Sequence, residues 1–134
     1  MDTLINIDVP DLERAIRFYQ EGIGLRLKRK LFEDSTAEMT GSSMPIYLIT
    51  KAEASRPDME PGSGRTYKRH WTPVHLDFVV SDLASAIIRA EAAGAKLESG
   101  PEIFAWGSLA TFSDPFGHGL CLMQWSDGGY AKVE

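Results

Sequence analysis

Apolar and polar positions along the chain fall into two patterns that recur in the same order. Over residues 3–9, Ile5, Ile7 and Val9 fall on one side and Leu4, Asn6 and Asp8 on the other. That period of two predicts a strand. Pro10 and Asp11 then suit the opening of a helix, Pro at the first helical position and Asp at its positive end. Leu12, Ala15, Ile16 and Tyr19 make one apolar stripe at helical spacing, and Gly22 and Gly24 close it. Strands are expected over 24–32, 36–40 and 44–50. The order returns with a strand over 74–80, a helix opened by Ser81 and Asp82 and closed by Gly94, and strands over 95–99, 104–112 and 119–125.

The two halves are copies. Leu12, Ala15, Ile16 and Tyr19 recur as Leu83, Ala86, Ile87 and Ala90, and Val9 and Asp11 recur as Val80 and Asp82, at a constant offset of 71 residues. Such a repeat decides the fold before any single element does. It predicts an α+β chain of two βαβββ modules, forming a curled mixed sheet around a concave cleft. The first module spans about 1–50 and the second about 73–126, with a short tail over 127–134. Between them, 51–72 is rich in Pro, Gly and charge and reads as a linker: an extended connection or a flap over a site.

The last two strands frame Ser113-Asp114-Pro115-Phe116-Gly117, with Gly119 behind it. Asp accepts backbone N–H groups, Pro sets φ, and Gly supplies a positive φ, so this is a turn with a mechanism.

Composition narrows the function classes. The 134 residues fit one domain, and 43% hydrophobic with 25% charged is ordinary for a globular protein. A net charge of −5 and the lack of any basic stripe beyond Arg26, Lys28 and Lys30 argue against a nucleic-acid partner. The acidic balance slightly favours a cationic ligand. A single cysteine, Cys121, excludes an internal disulfide. No signal peptide and no membrane-length apolar run is present, so the expectation is a cytoplasmic protein without a membrane partner. There is no G-x-S-x-G, phosphate-cradling glycine loop or H-E-x-x-H.

The repeat, the two V-x-D-L-x-x-A-I helix openings at Val9 and Val80, and the ending D-P-F-G-H-G-L-C-L preceded by Trp106-Gly107 resemble the vicinal oxygen chelate superfamily. That group includes glyoxalase I, bleomycin resistance proteins, fosfomycin resistance enzymes and extradiol dioxygenases. The resemblance implies the paired-module fold, a homodimer, and a cleft for a metal, an antibiotic or another small molecule. It also implies four ligand positions, on the first and last strands of each module. Carried over, they fall on Leu4, Tyr47, His75 and Cys121. Metal-binding members carry mostly His, Glu and Gln there, so the resemblance points to the metal-free, bleomycin-resistance type, with no cofactor.

Strand parity gathers Asn6, Asp8, His75 and Asp77 on the expected cleft face, with Cys121, Met123 and Trp125 on the last strand. The expected ligand-binding residues are Leu4, Asn6, Tyr47, His75, Asp77, Trp106, Cys121 and Met123. Several have a structural reading beside them. His75 and Asp77 suit a hydrogen-bonded pair as well as a ligand contact. Cys121 suits a small buried hydrophobe, and Met123 and Trp125 suit core positions. His70 and His118 are expected to be solvated at strand ends. The alternative function is a metal-dependent lyase, isomerase or dioxygenase using His75 with Asp77, or His75 with Glu38 and Cys121 around a divalent metal.

Overall fold

The computed structural model describes residues 1–55 and 64–133, so part of the linker-like stretch (56–63) lies outside the described residues. The chain divides into two units, Met1–Lys68 and Arg69–Glu134, meeting inside that stretch.

In the first unit the order is β1 (Ile5–Val9), α1 (Leu12–Phe18) running into a π-helical turn (Tyr19–Ile23), β2 (Arg26–Leu31), β3 (Thr36–Thr40) and β4 (Ile46–Thr50). The sheet order is β1-β4-β3-β2, with β1 and β4 parallel and the other pairs antiparallel. Leu12, Ala15, Ile16, Phe18 and Tyr19 are buried, and α1 lies against β3 and β4. The helix starts at Leu12, two residues later than its sequence suggests. Asp11 is the cap, with extended backbone, and its carboxylate accepts the Arg14 N–H at 3.1 Å. Pro10 therefore precedes the cap instead of occupying the first helical position. Likewise β4 begins at Ile46 and not at 44, because Pro45 has no N–H for the ladder and offers only its carbonyl, to Ile5 N–H at 3.0 Å.

The second unit repeats the plan: β5 (Leu76–Val79), α2 (Leu83–Ala92), β6 (Lys96–Phe104), β7 (Gly107–Ser113) and β8 (Gly119–Trp125), in sheet order β5-β8-β7-β6. Asp82 caps α2 by accepting the Ser85 N–H at 3.3 Å. The apolar face of this sheet buries Ala110, Phe112, Leu120 and Leu122, while α2 buries Leu83, Ala86, Ile87 and Ala90. One expectation fails here. The break expected between 99 and 104 does not exist: β6 is one strand through Phe104, and the hairpin turn falls instead at Ala105-Trp106, inside the strand expected over 104–112. The Gly100-Pro101 pair is absorbed as an irregularity of an edge strand, where a missing N–H is tolerated. Gly100 has φ +92, and a Cβ there would meet the Leu109 carbonyl at 2.6 Å, so only glycine fits. The expected tail also carries a short 3-10 turn, Gly129–Val133.

The flanks of 56–63 are laced together. Ala54 N–H donates to the Arg65 carbonyl at 2.7 Å, Arg65 N–H to the Ser55 carbonyl at 2.8 Å, and the Tyr67 hydroxyl to the Lys51 carbonyl at 2.6 Å.

Candidate functional site

The register of each sheet sets which polar side chains stand side by side. In the second unit Asp77 pairs with Cys121, and Cys121 with Thr111 across β7. Paired residues project to the same face, here the one opposite α2. Cys121 Sγ lies 3.7 Å from Thr111 Oγ1, and His75 Nε2 lies 3.4 Å from Asp77 Oδ1. His75, Asp77 and Cys121 each present a ligating atom, and all three atoms lie within 4.8 Å of one another. The imidazole and carboxylate are open to solvent, at 42% and 39% side-chain exposure, while Cys121 is buried behind them. His75 sits one residue ahead of β5 and meets the Trp71 ring edge-on at 5.5 Å. This is an imidazole–carboxylate pair over a buried thiol, with an aromatic wall beside it.

Burial pushes the Cys121 thiol up; the Thr111 hydroxyl works against this, and Asp77, by its charge and a hydrogen bond, adds to the upward shift. The thiol therefore stays protonated at neutral pH, and the thiolate is the reactive form. Alkylation of Cys121 by iodoacetamide at pH 8 is expected to be slow, and to speed up in Asp77→Asn. A fast wild-type reaction would contradict this environment.

In the first unit Asn6 pairs with Tyr47 and Tyr47 with Glu38. Asn6 and Asp77 are equivalent by the 71-residue offset, so these registers make Tyr47 the counterpart of Cys121. Leu4, equivalent to His75, likewise precedes its strand by one residue and is 59% exposed. Asn6 is exposed and Tyr47 half-buried. Glu38 is buried and held within its own unit: Arg29 Nε donates to Oε1 at 2.8 Å and Lys28 Nζ lies 3.3 Å from Oε2. A register shift between Leu27 and Arg29 brings both cations to it. The Arg29 hydrogen bond, with Lys28, holds the Glu38 carboxyl below its ordinary range against the effect of burial. Its stabilisation is full above the ordinary glutamate range and is lost as pH falls through the lowered folded value. Urea midpoints are expected to drop more steeply below about pH 5 in the wild type than in Glu38→Gln; equal slopes would contradict the pairing. Glu38 is thus committed to Arg29 and Lys28.

Sequence reasoning missed three contacts at this level. Asp8 is ion-paired with Arg65 at 2.5 Å, 57 residues away. His70 and His118, expected to be solvated, are half-buried and paired, with Nε2 to Nδ1 3.2 Å apart. Trp106 joins an aromatic cluster: its ring stacks on Phe104 at 5.0 Å and contacts Trp125 and Tyr130. Met123 is buried, and Trp125 is 41% exposed.

The donor set of the four carried-over positions does not suit the metal that the superfamily implies. Leu4 has no donor atom, Tyr47 offers a phenol, and Cys121 a protonated thiol, leaving His75 as one good ligand.

Two βαβββ units, each ending in a strand beside its first, the second with an Asp-Pro-x-Gly turn before its last strand, place the chain in the vicinal oxygen chelate superfamily. The chain belongs to the Glyoxalase-like domain family, whose model matches residues 4–123. Among solved structures it is similar to TnmS3, an antibiotic binding protein from Streptomyces sp. CB03234, at 27% identity over 94% of this chain and 96% of that one, with a TM-score of 0.66. It shares its fold with a glyoxalase-related enzyme from Fulvimarina pelagi (19% identity, 92% and 87% covered, TM-score 0.70). The same holds for the fosfomycin resistance protein FosX from Listeria monocytogenes (17% identity, 92% of each chain, TM-score 0.68). No curated protein matches.

Proposed function

We propose that this protein binds a small, partly apolar organic molecule of the antibiotic kind and releases it unchanged, without a family-type metal. The observation that carries the reading is the exposed Leu4 standing where a metal-binding relative needs a ligand, in a fold otherwise complete. The likeness to an antibiotic binding protein along nearly the whole chain supports it. The contact surface is the open His75–Asp77 pair with the Trp71 ring beside it, an apolar wall with a few polar groups that fix orientation. Asp77 and the acidic net charge favour a ligand with a cationic or hydrogen-donating group. The working form in this proposal is a homodimer, which sedimentation equilibrium tests. Binding itself is tested by equilibrium dialysis against a panel of antibiotics that includes metal-free bleomycin and fosfomycin, with mass spectrometry of what is recovered. Retention of at least one compound, unaltered, is expected. Recovery of a transformed compound would refute the reading.

A second reading rests on the three clustered donors. His75, Asp77 and Cys121 would together suit a soft divalent ion such as Zn²⁺, giving a lyase, isomerase or oxygenase of the same superfamily. Elemental analysis of untagged protein separates the two. Near-stoichiometric metal that disappears in both His75→Ala and Cys121→Ser would favour the enzyme.

A further inference from the structure

We propose that His70 and His118 form a two-imidazole site for a borderline divalent cation (Cu²⁺, Ni²⁺ or Zn²⁺) that ties the chain ahead of β5 to the entry of β8. The site belongs wholly to the second unit and shares no residue with the His75 cluster. Its backbone is built for close approach. His70 N–H donates to the Gly117 carbonyl at 3.0 Å, and residues 70 and 118 form a parallel bridge outside the main strands. Opposite it, the Asp114 carboxylate accepts the His118 N–H at 2.9 Å, which fixes the turn that carries His118.

The rings stand edge to face, centroids 5.0 Å apart, with His70 Nε2 and His118 Nδ1 at 3.2 Å. Two nitrogens bound to one tetrahedral ion at about 2.0–2.1 Å each stand roughly 3.3 Å apart. The pair is therefore near chelating distance already. Between two neutral rings, one of these nitrogens donates its N–H to the other; when the ion takes the bridging position, the donor ring carries its proton on its remote nitrogen instead, through exchange with solvent, and both rings stay neutral. Neutral imidazole is a favoured ligand of these three ions, and water completes the coordination. Arg69, which donates to the His70 carbonyl, is offset by a two-oxygen grip from Glu98.

The link has a structural consequence. Trp71, next to His70, lies over the Arg69 guanidinium at 4.7 Å and packs on Gly119, where a Cβ would meet its ring at 2.6 Å. The same ring contacts His75. A cation on the histidine pair would hold this segment against β8.

The test is titration of EDTA-stripped, untagged protein with CuCl₂, NiCl₂ or ZnCl₂, read by calorimetry and by the thermal unfolding midpoint. One equivalent is expected, tightest for Cu²⁺, with a midpoint that rises with Ni²⁺ concentration. His70→Gln keeps a hydrogen-bonding group but lacks the ring, and His118→Ala removes the second ligand. Each is expected to weaken Ni²⁺ binding by at least about tenfold, while His75→Ala and Cys121→Ser leave it unchanged. No binding at millimolar metal, or binding that follows His75 and Cys121 instead, overturns the proposal.

Discussion

Replacing Asp114 with alanine is expected to destabilise the protein by about 3 kcal/mol. Asp114 is 4% exposed, and its Oδ1 accepts the N–H groups of Phe116 at 2.8 Å and His118 at 2.9 Å. Removing the carboxylate leaves two backbone donors of a tight turn without that acceptor, in a region where water reaches poorly. Phe116, 1% exposed, is seated by the same turn. Thermal unfolding should fall by about 10 °C, while Asp114→Asn, which keeps an acceptor oxygen, should lose clearly less. A loss under about 1 kcal/mol for the alanine variant would show that the turn holds itself.

The same turn shows how far sequence reaches. The mechanism of Asp-Pro-x-Gly was legible because it is local: a short carboxylate, a fixed φ and a glycine within five residues. The repeat was legible because helix stripes and strand alternation are also local, and the 71-residue offset then predicted the architecture. It predicted more than elements. Parity set His75 and Asp77 together on one face with Cys121, and the registers Asn6–Tyr47 and Asp77–Cys121 place Tyr47 and Cys121 at equivalent points of their sheets.

What stayed hidden depends on registers that no local pattern encodes. The irregularity in β2 turns both Lys28 and Arg29 toward Glu38; the alternation of Leu and basic residues does break at Lys28-Arg29-Lys30, but nothing local to that break points to Glu38 on the neighbouring strand. Gly100-Pro101 looks like a strand break, yet at a sheet edge it is an irregularity within one strand. His70 and His118 meet across 48 residues, and Asp8 and Arg65 across 57. Pairs of that separation follow from how loops lie on the sheets.

The second large effect concerns binding. His75→Ala is expected to weaken the tightest antibiotic of the panel by about tenfold or more, near 1.4 kcal/mol, as truncating an anchor contact does. Stability should barely change, since the imidazole is 42% exposed and its carboxylate partner is solvated as well. Glu38→Gln, by contrast, should alter acid stability and leave binding alone, because Glu38 is engaged by Arg29 and Lys28. A His75→Ala protein that binds as the wild type does would remove the His75–Asp77 face from the ligand's contacts.

The central claim is that this scaffold binds a small organic molecule without a metal at the family's position. The most direct test is calorimetric titration of the wild-type protein with the antibiotic panel, metal-free bleomycin included, before and after exhaustive EDTA treatment. Saturable binding of at least one compound with the same affinity in both preparations is the predicted result. Binding that vanishes with EDTA and returns with Zn²⁺, or no binding across the panel in either preparation, would contradict the account.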